Sequence, residues 1–380
     1  MKWFNTDVRL SALVAAGFGL ASAVQASQAP QTFALDDFTG NGDAEAALFI
    51  DDPTQFMGRG LVLVVDTGTL GPAGTYRILT SPGTLVDGGV VSDQAGDGRD
   101  DVIVLRQQSQ NPAVLEAYDP QSGKISRRVG LPNGYQAVSL DTANNTACIL
   151  TTQTSANNRP RLFNIDVSTK AQISKPALSK NFAALKAVIG GSADEYCLAL
   201  LARNSDGKGS VQVWDIATGL KMNSIPIPTG QDPVDVAAVR SPFVPFVVTL
   251  ALRQSDSRGR LMANDIQTGT TQWAYALPAG QEPVRVIAYQ DAQGAERIAA
   301  LANGDPPLTE GPTVTILDAA TGVLVNTIEY NAFHFGVDLS FHPPTSMDPG
   351  TNPELAVTCI FGERELRDSV TGNLIGYLGG

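Results

Sequence analysis

Two acid-rich stretches hold the residues best placed to do chemistry. Asp37-Phe38-Thr39-Gly40-Asn41-Gly42-Asp43-Ala44-Glu45 and Asp93-Gln94-Ala95-Gly96-Asp97-Gly98-Arg99-Asp100-Asp101 each set oxygen-bearing groups at alternate positions with glycines between them. A hard cation such as calcium takes about six to eight oxygens, often from such a loop. In the first stretch Asp37, Thr39, Asn41 and Glu45 offer side-chain oxygens and Asp43 its backbone carbonyl. In the second, Asp93, Asp97 and Asp101 do the same with the Arg99 carbonyl, while Ala95 leaves the third position without a ligand. The same residues can also close plain Asx-type turns, and both readings stand. Calcium here would be structural, holding loops on one face.

Catalytic signatures are sparse. Acid–base catalysis draws most often on histidine, and the chain has only His334 and His342, both in aromatic surroundings that suit packed residues. No zinc spacing, no Gly-x-Ser-x-Gly elbow and no phosphate-binding Gly-Lys-Ser/Thr loop occurs. A site gathered from distant loops would leave no local motif, so a propeller enzyme with an axial-funnel site stays as the alternative. That enzyme would be a lactonase-like hydrolase or a quinone-dependent dehydrogenase. A quinone would need an axial tryptophan, and Trp214 and Trp273 fall in a third strand and just after a turn, both far from an axis.

The elements that must position these residues are read from a repeat. A strand ending in Asp is followed by a turn ending in Thr-Gly at Asp215-Ile216-Ala217-Thr218-Gly219, Asp265-Ile266-Gln267-Thr268-Gly269, Asp318-Ala319-Ala320-Thr321-Gly322 and Asp368-Ser369-Val370-Thr371-Gly372. Looser copies sit at Asp66, Asp119 and Asp166, so that seven copies follow one another at 47 to 53 residues. Asp accepts hydrogen bonds from backbone N–H groups just ahead of it, and Gly takes the positive φ of the corner, so these acids are turn builders rather than catalytic groups. Gly230-Gln231-Asp232-Pro233-Val234-Asp235-Val236 returns in phase as Gly280-Gln281-Glu282-Pro283-Val284-Arg285-Val286. Each unit reads as four short strands, and no segment keeps a helical period. Such a unit cannot bury both faces alone, but copies stacked around an axis can. The expected fold is all-β, a seven-bladed β-propeller of four-stranded antiparallel blades, at roughly 32–80, 81–132, 133–180, 181–229, 230–279, 280–330 and 331–380.

With its Asp-x-x-Thr-Gly turns and its Asp-x-x-Gly-Asp-Gly-x-x-Asp loop, the chain resembles the FG-GAP, integrin-α-like repeat family. That resemblance implies a seven-bladed propeller with calcium between the first two strands of a blade and a role in adhesion or ligand binding. Only the first two units keep the cation loop. The corresponding stretches at 141–147, 190–195, 291–296 and 348–354 depart from it and are expected to be metal-free turns.

Residues 1–26 read as a signal peptide: Lys2 and Arg9, the apolar run Leu10 to Val24, and small residues at Val24-Gln25-Ala26. Cleavage would leave residues 27–380 as one propeller, exported to the periplasm or the extracellular space and without stable membrane insertion. The net charge of −12 becomes −13 when two bases and one acid are lost with the leader. A field of that sign repels phosphate backbones, which excludes nucleic acid as a partner. Cys148, Cys197 and Cys359 are an odd number, each in an apolar strand, and read as free buried thiols. The reading is an exported, non-catalytic binding module for a protein or glycan ligand on one propeller face.

Overall fold

The computed structural model describes residues 31–35, 45–50, 59–66, 71–108, 112–154, 159–180, 182–202, 209–240, 245–304, 311–331, 335–342, 353–359 and 364–378. These form twenty-eight strands in seven four-stranded antiparallel sheets, with no helix among the described residues. Each sheet is built from consecutive strands, giving blades one to seven at 31–82, 84–130, 135–174, 184–227, 231–276, 281–329 and 336–378. The first strand of each blade packs on the first strands of its neighbours. The ring closes where Gly336–His342 of blade seven meets Gln31–Leu35 of blade one. Among the described residues no strand is exchanged between blades, and blade seven meets blade one by packing.

Strand composition follows position. Second strands are covered on both faces by neighbouring blades and read as unbroken apolar runs, such as Val102-Ile103-Val104-Leu105 and Leu198-Ala199-Leu200-Leu201, all fully buried. Outermost strands meet solvent and lose that character; Lys221–Ile227 buries only its fifth and seventh residues. The core is therefore divided into seven apolar clusters among the described residues, each between two neighbouring blades. The smallest, Leu48 and Leu63 against Ala356 and Leu366, joins blade one to blade seven. Each fully buried leucine contributes about 1.5–3 kcal/mol by leaving water.

The Asp-turns join third to fourth strands. Asp215 Oδ1 accepts the Thr218 N–H at 2.7 Å and the Thr218 hydroxyl at 2.6 Å, and the copies at Asp265, Asp318 and Asp368 accept the matching threonine N–H at 2.6, 3.0 and 2.6 Å. Gly219, Gly269, Gly322 and Gly372 close these turns at φ between +67° and +72°, a region an L side chain enters only with strain.

The cysteines correct the expectation of three free thiols. Cys148 and Cys197 form a disulfide with Cα atoms 6.5 Å apart, and Cys359 is a buried cysteine outside that bond. The repeat explains the pairing. Cys148 lies opposite Asp141 in blade three, and its copy in blade four is Leu198, opposite Val188. Cys197 is one residue earlier, so the strand's alternation turns it back toward blade three while Cys148 faces blade four. Parity of the count missed a bond that a one-residue phase offset creates.

Candidate functional site

The first strand of every blade is a sheet edge facing the axis, so its outward N–H groups have no strand partner. In blades two to seven a register irregularity falls just before one inner-strand residue: Asp87, Ser139, Lys186, Asp235, Arg285 and Asp338. A bulge re-aims the side chain that follows it. The six residues sit at matching levels around the axis and form a polar girdle, joined by Asp141 two residues beyond Ser139 in blade three.

The girdle clamps blade to blade. Asp87 Oδ2 accepts the Leu140 N–H at 2.7 Å, Ser139 Oγ the Ala187 N–H at 2.8 Å, Asp141 Oδ2 the Ile189 N–H at 2.6 Å, and Asp235 Oδ2 the Val286 N–H at 2.8 Å. In each case the acceptor belongs to one blade and the N–H to the inner strand of the next. The Thr142 hydroxyl donates back to the Val90 carbonyl at 2.7 Å. The two cations are held by acids: Lys186 Nζ lies 2.6 Å from Asp235 Oδ1, and Arg285 Nε lies 3.1 Å from Asp338 Oδ1 and 3.5 Å from Asp235 Oδ2.

Burial shapes the acid–base behaviour. Asp87 is 9% exposed, and loss of hydration pushes its carboxyl up to about 6, more than the Leu140 and Gly88 amides and the Arg285 charge pull it down. Burial likewise raises Asp141 and Asp338 and lowers Lys186. Burial also works against the Arg285 cation, but Asp235, Asp338, Asp87 and Asp141 together outweigh it and hold the guanidinium charged.

A cavity of about 410 Å3 opens beside the girdle, with Asp87, Asp141, Lys186 and Arg285 among its walls. Val188, Ala237 and Ile287 supply an apolar side, and Arg240, Gln290 and Glu296 line it further along. Arg240 is paired with Asp194 at 2.9 Å and Glu296 accepts from Gln290 Nε2 at 2.7 Å.

Of the loops expected to hold calcium, Asp37, Thr39, Asn41 and Asp43 lie outside the described residues, and Glu45 opens the second strand of blade one. The second loop is fully described and held by its own hydrogen bonds. Asp93 accepts the N–H groups of Gly96, Asp97 and Gly98, which together lower its pKa; Asp97 accepts the Arg99 N–H at 3.1 Å. Asp101 is fully buried and accepts the Gln94 and Ala95 N–H groups and the Ser126 hydroxyl. Its carboxylates thus aim at backbone amides, and no three His, Cys, Asp or Glu side chains converge on a cation position among the described residues. With Ala95 in third place, this loop has ligand groups on Asp93, Asp97, Asp101 and the Arg99 carbonyl and none at its third position.

His334 lies outside the described residues, and His342 ends the inner strand of blade seven. Trp214 is in a third strand and Trp273 in a fourth, where its Nε1–H donates to the Ala319 carbonyl of blade six at 2.8 Å. The axial girdle was missed by motif reading. Its one trace in the sequence is the phased Gly-Gln-x-Pro-Val-x-Val pair of blades five and six, whose sixth position alternates in charge between Asp235 and Arg285.

No protein-family model matches the chain, and no curated protein matches it. Among solved structures it is similar to BBS1N, crystallised in complex with ARL6DN, at 12% identity over 91% of this chain and 93% of that one, with a TM-score of 0.57. It is also similar to the hydrazine synthase of Kuenenia stuttgartiensis, at 13% identity over 80% of this chain and 89% of that one, with a TM-score of 0.55. At these identities the likeness is one of fold.

Proposed function

We propose that the protein is an exported, non-catalytic propeller of the FG-GAP, integrin-α-like kind that recognises a protein or glycan ligand on one face. The observation carrying this reading is how the acids are used. Asp87, Asp141 and Asp235 clamp neighbouring blades, and Asp215, Asp265, Asp318 and Asp368 close turns. Neither set is arranged as a nucleophile with its base. First-to-second loops and third-to-fourth turns emerge at the same end of each blade, and in blade six Arg297 ties Asp291 of one to Asp318 of the other. That end is the acidic, loop-bearing face on which a ligand would dock. The Cys148–Cys197 bond suits an oxidising compartment, in keeping with the leader expected at residues 1–26. A structural calcium ion in the first loop belongs to this proposal, with the second loop weaker for want of a third-position ligand. BBS1N, crystallised with ARL6DN, is a fold-level analogy for a propeller that meets a protein partner.

The test presents the whole chain to a glycan array and to a displayed library of extracellular proteins, beside lactone-hydrolysis and dye-linked dehydrogenase assays. Retention of a ligand without turnover is the expected result. Turnover of either substrate class that disappears in Asp87→Asn would replace binding by an axial hydrolase or dehydrogenase. That second reading draws on Asp87, whose carboxyl titrates near 6 beside the cavity.

A further inference from the structure

The outermost strands differ around the ring in a respect that the fold does not require. Two and three residues after the glycine that closes each Asp-turn, or after Lys170 in its place, stand Ile125-Ser126, Gln172-Ile173, Lys221-Met222 and Thr271-Gln272 in blades two to five, so at least one polar side chain falls there. In blades six and seven the same positions hold only aliphatic residues, Leu324-Val325 and Leu374-Ile375. These four, with Val370 and Tyr377, are 38 to 49% exposed. The two blades' groups adjoin, because the strand Leu324–Glu329 lies against the turn of blade seven, where Asn326 Nδ2 donates to the Val370 carbonyl at 2.7 Å. Solvent-facing sheet edges are usually blunted by charge, proline or shortness. Arg127 and Arg128 do this in blade two, Lys221 and Pro226 in blade four, and Ala171–Ser174 in blade three is only four residues long. Leu374-Ile375-Gly376-Tyr377-Leu378 carries no charge and no proline, and among the described residues no strand pairs with its outer edge. The border of this surface is acidic: Asp318 and Asp368 stand at its turn end, and Glu329 at the far end of the blade-six strand. Arg367, the half-buried base of this rim, is taken up by Glu365 at 2.6 Å and the Gly372 carbonyl at 2.9 Å.

We propose that the rim of blades six and seven docks an extended segment of a partner protein, added as a strand along Leu374–Leu378, with apolar side chains at its centre and lysine or arginine at its ends. Edge addition satisfies the outward N–H and C=O groups of Leu374–Leu378, and alternate side chains of the added strand cover Leu374, Ile375 and Tyr377. Its basic ends meet Asp318 and Asp368 at the turn end and Glu329 at the other, within the field of a chain of net charge −12. A second copy of this chain is the poorer occupant, since pairing two such rims brings like charges together. The rim is separate from the loop-bearing face on which the protein or glycan ligand would dock, and either can fail without the other.

The test follows the fluorescence anisotropy of a fluorescein-labelled peptide, Lys-Lys-Val-Thr-Val-Thr-Val-Lys-Lys, titrated with the whole chain. Saturable binding is expected, and the same peptide with glutamate in place of every lysine should bind at least about tenfold more weakly, a comparison that needs no variant. The double variant Leu374→Lys/Ile375→Lys should weaken the lysine peptide by at least about tenfold. Leu220→Lys/Met222→Lys adds the same charge at exposed apolar residues of blade four and should leave binding within about twofold of the parent. Thermal unfolding checks that both variants fold. A dissociation constant for the lysine peptide above about 1 mM would overturn the proposal. So would equal binding of the two peptides, undiminished binding in the folded rim variant, or a dimer in sedimentation velocity that the rim variant dissociates, which would give the edge to a second copy.

Discussion

Replacing Asp235 by asparagine isolates what the axial girdle contributes. Asp235 is 3% exposed, touches Lys186 Nζ at 2.6 Å and Arg285 Nε at 3.5 Å, and accepts the Val286 N–H at 2.8 Å. Asparagine has nearly the same shape and still accepts from Val286, so the change removes charge and little else. Arg285 keeps Asp338 at 3.1 Å, but Lys186 loses its ion-pair partner while remaining largely buried. Removing one member of a buried pair costs about 3–5 kcal/mol. Lys186 reaches some solvent and gives up its proton more readily than an ordinary lysine, which places the expected loss near the lower end, about 3 kcal/mol. Urea unfolding followed by circular dichroism measures it, and Lys186→Met in the same background gives the coupling, expected at about 2 kcal/mol. A cost below about 1 kcal/mol, typical of surface substitutions, would refute the reasoning. So would a double variant no more stable than Asp235→Asn alone.

Three further outcomes follow from the same geometry, and a fourth from the proposed calcium loop. The folded-state pKa of Asp87 is raised from 3.8 to about 6, so its contribution is fully present below about pH 4 and is lost as pH rises through 6. Asp87→Asn should therefore be more stable than the parent at neutral pH, by up to about 3 kcal/mol, with the gap closing toward pH 4 in urea titrations. Gly322→Ala places a Cβ 2.6 Å from the Trp273 ring at φ +70°, whereas Gly230→Ala at φ +81° meets nothing within 4 Å. Unfolding midpoints should show losses of about 3 and about 1 kcal/mol respectively. Thiol titration of the unreduced, denatured chain should find one thiol, Cys359, and three after reduction; reduction removes a crosslink across 49 residues and up to about 4 kcal/mol of stability. Calcium should raise the melting temperature and chelator lower it, with Asp37→Ala abolishing the response and Asp97→Ala leaving most of it, as read by differential scanning fluorimetry.

The blade count was legible because turn chemistry is local. An Asp that caps its own turn and a Gly at positive φ need only five consecutive residues, so Asp215 and Gly219 announce a corner wherever the rest of the blade goes. The burial of second strands was legible for the same reason, since a stretch such as Val102–Leu105 is apolar throughout. The axial site was not legible. It takes one residue from each of several blades, about fifty positions apart, and its members differ in chemical type from Asp87 to Ser139 to Lys186. Bulges before these residues shift their phase by one, so a strict alternation pattern points them the wrong way. The disulfide was hidden by that sensitivity to phase: Cys148 and Cys197 meet because they are not equivalent positions. In the second acidic loop the sequence named Asp93 and Asp101 but not the backbone amides whose N–H groups they accept.

Site-resolved hydrogen exchange of the inner-strand amides tests the clamp between blades most directly. The N–H groups of Leu140, Ala187, Ile189 and Val286 lie on sheet edges, yet each donates to a side chain of the preceding blade. They should exchange as slowly as the amides of the buried second strands, with Val286 accelerating in Asp235→Ala. Exchange of all four at the rate of the exposed outermost strands would contradict a ring held together along its axis by these side chains.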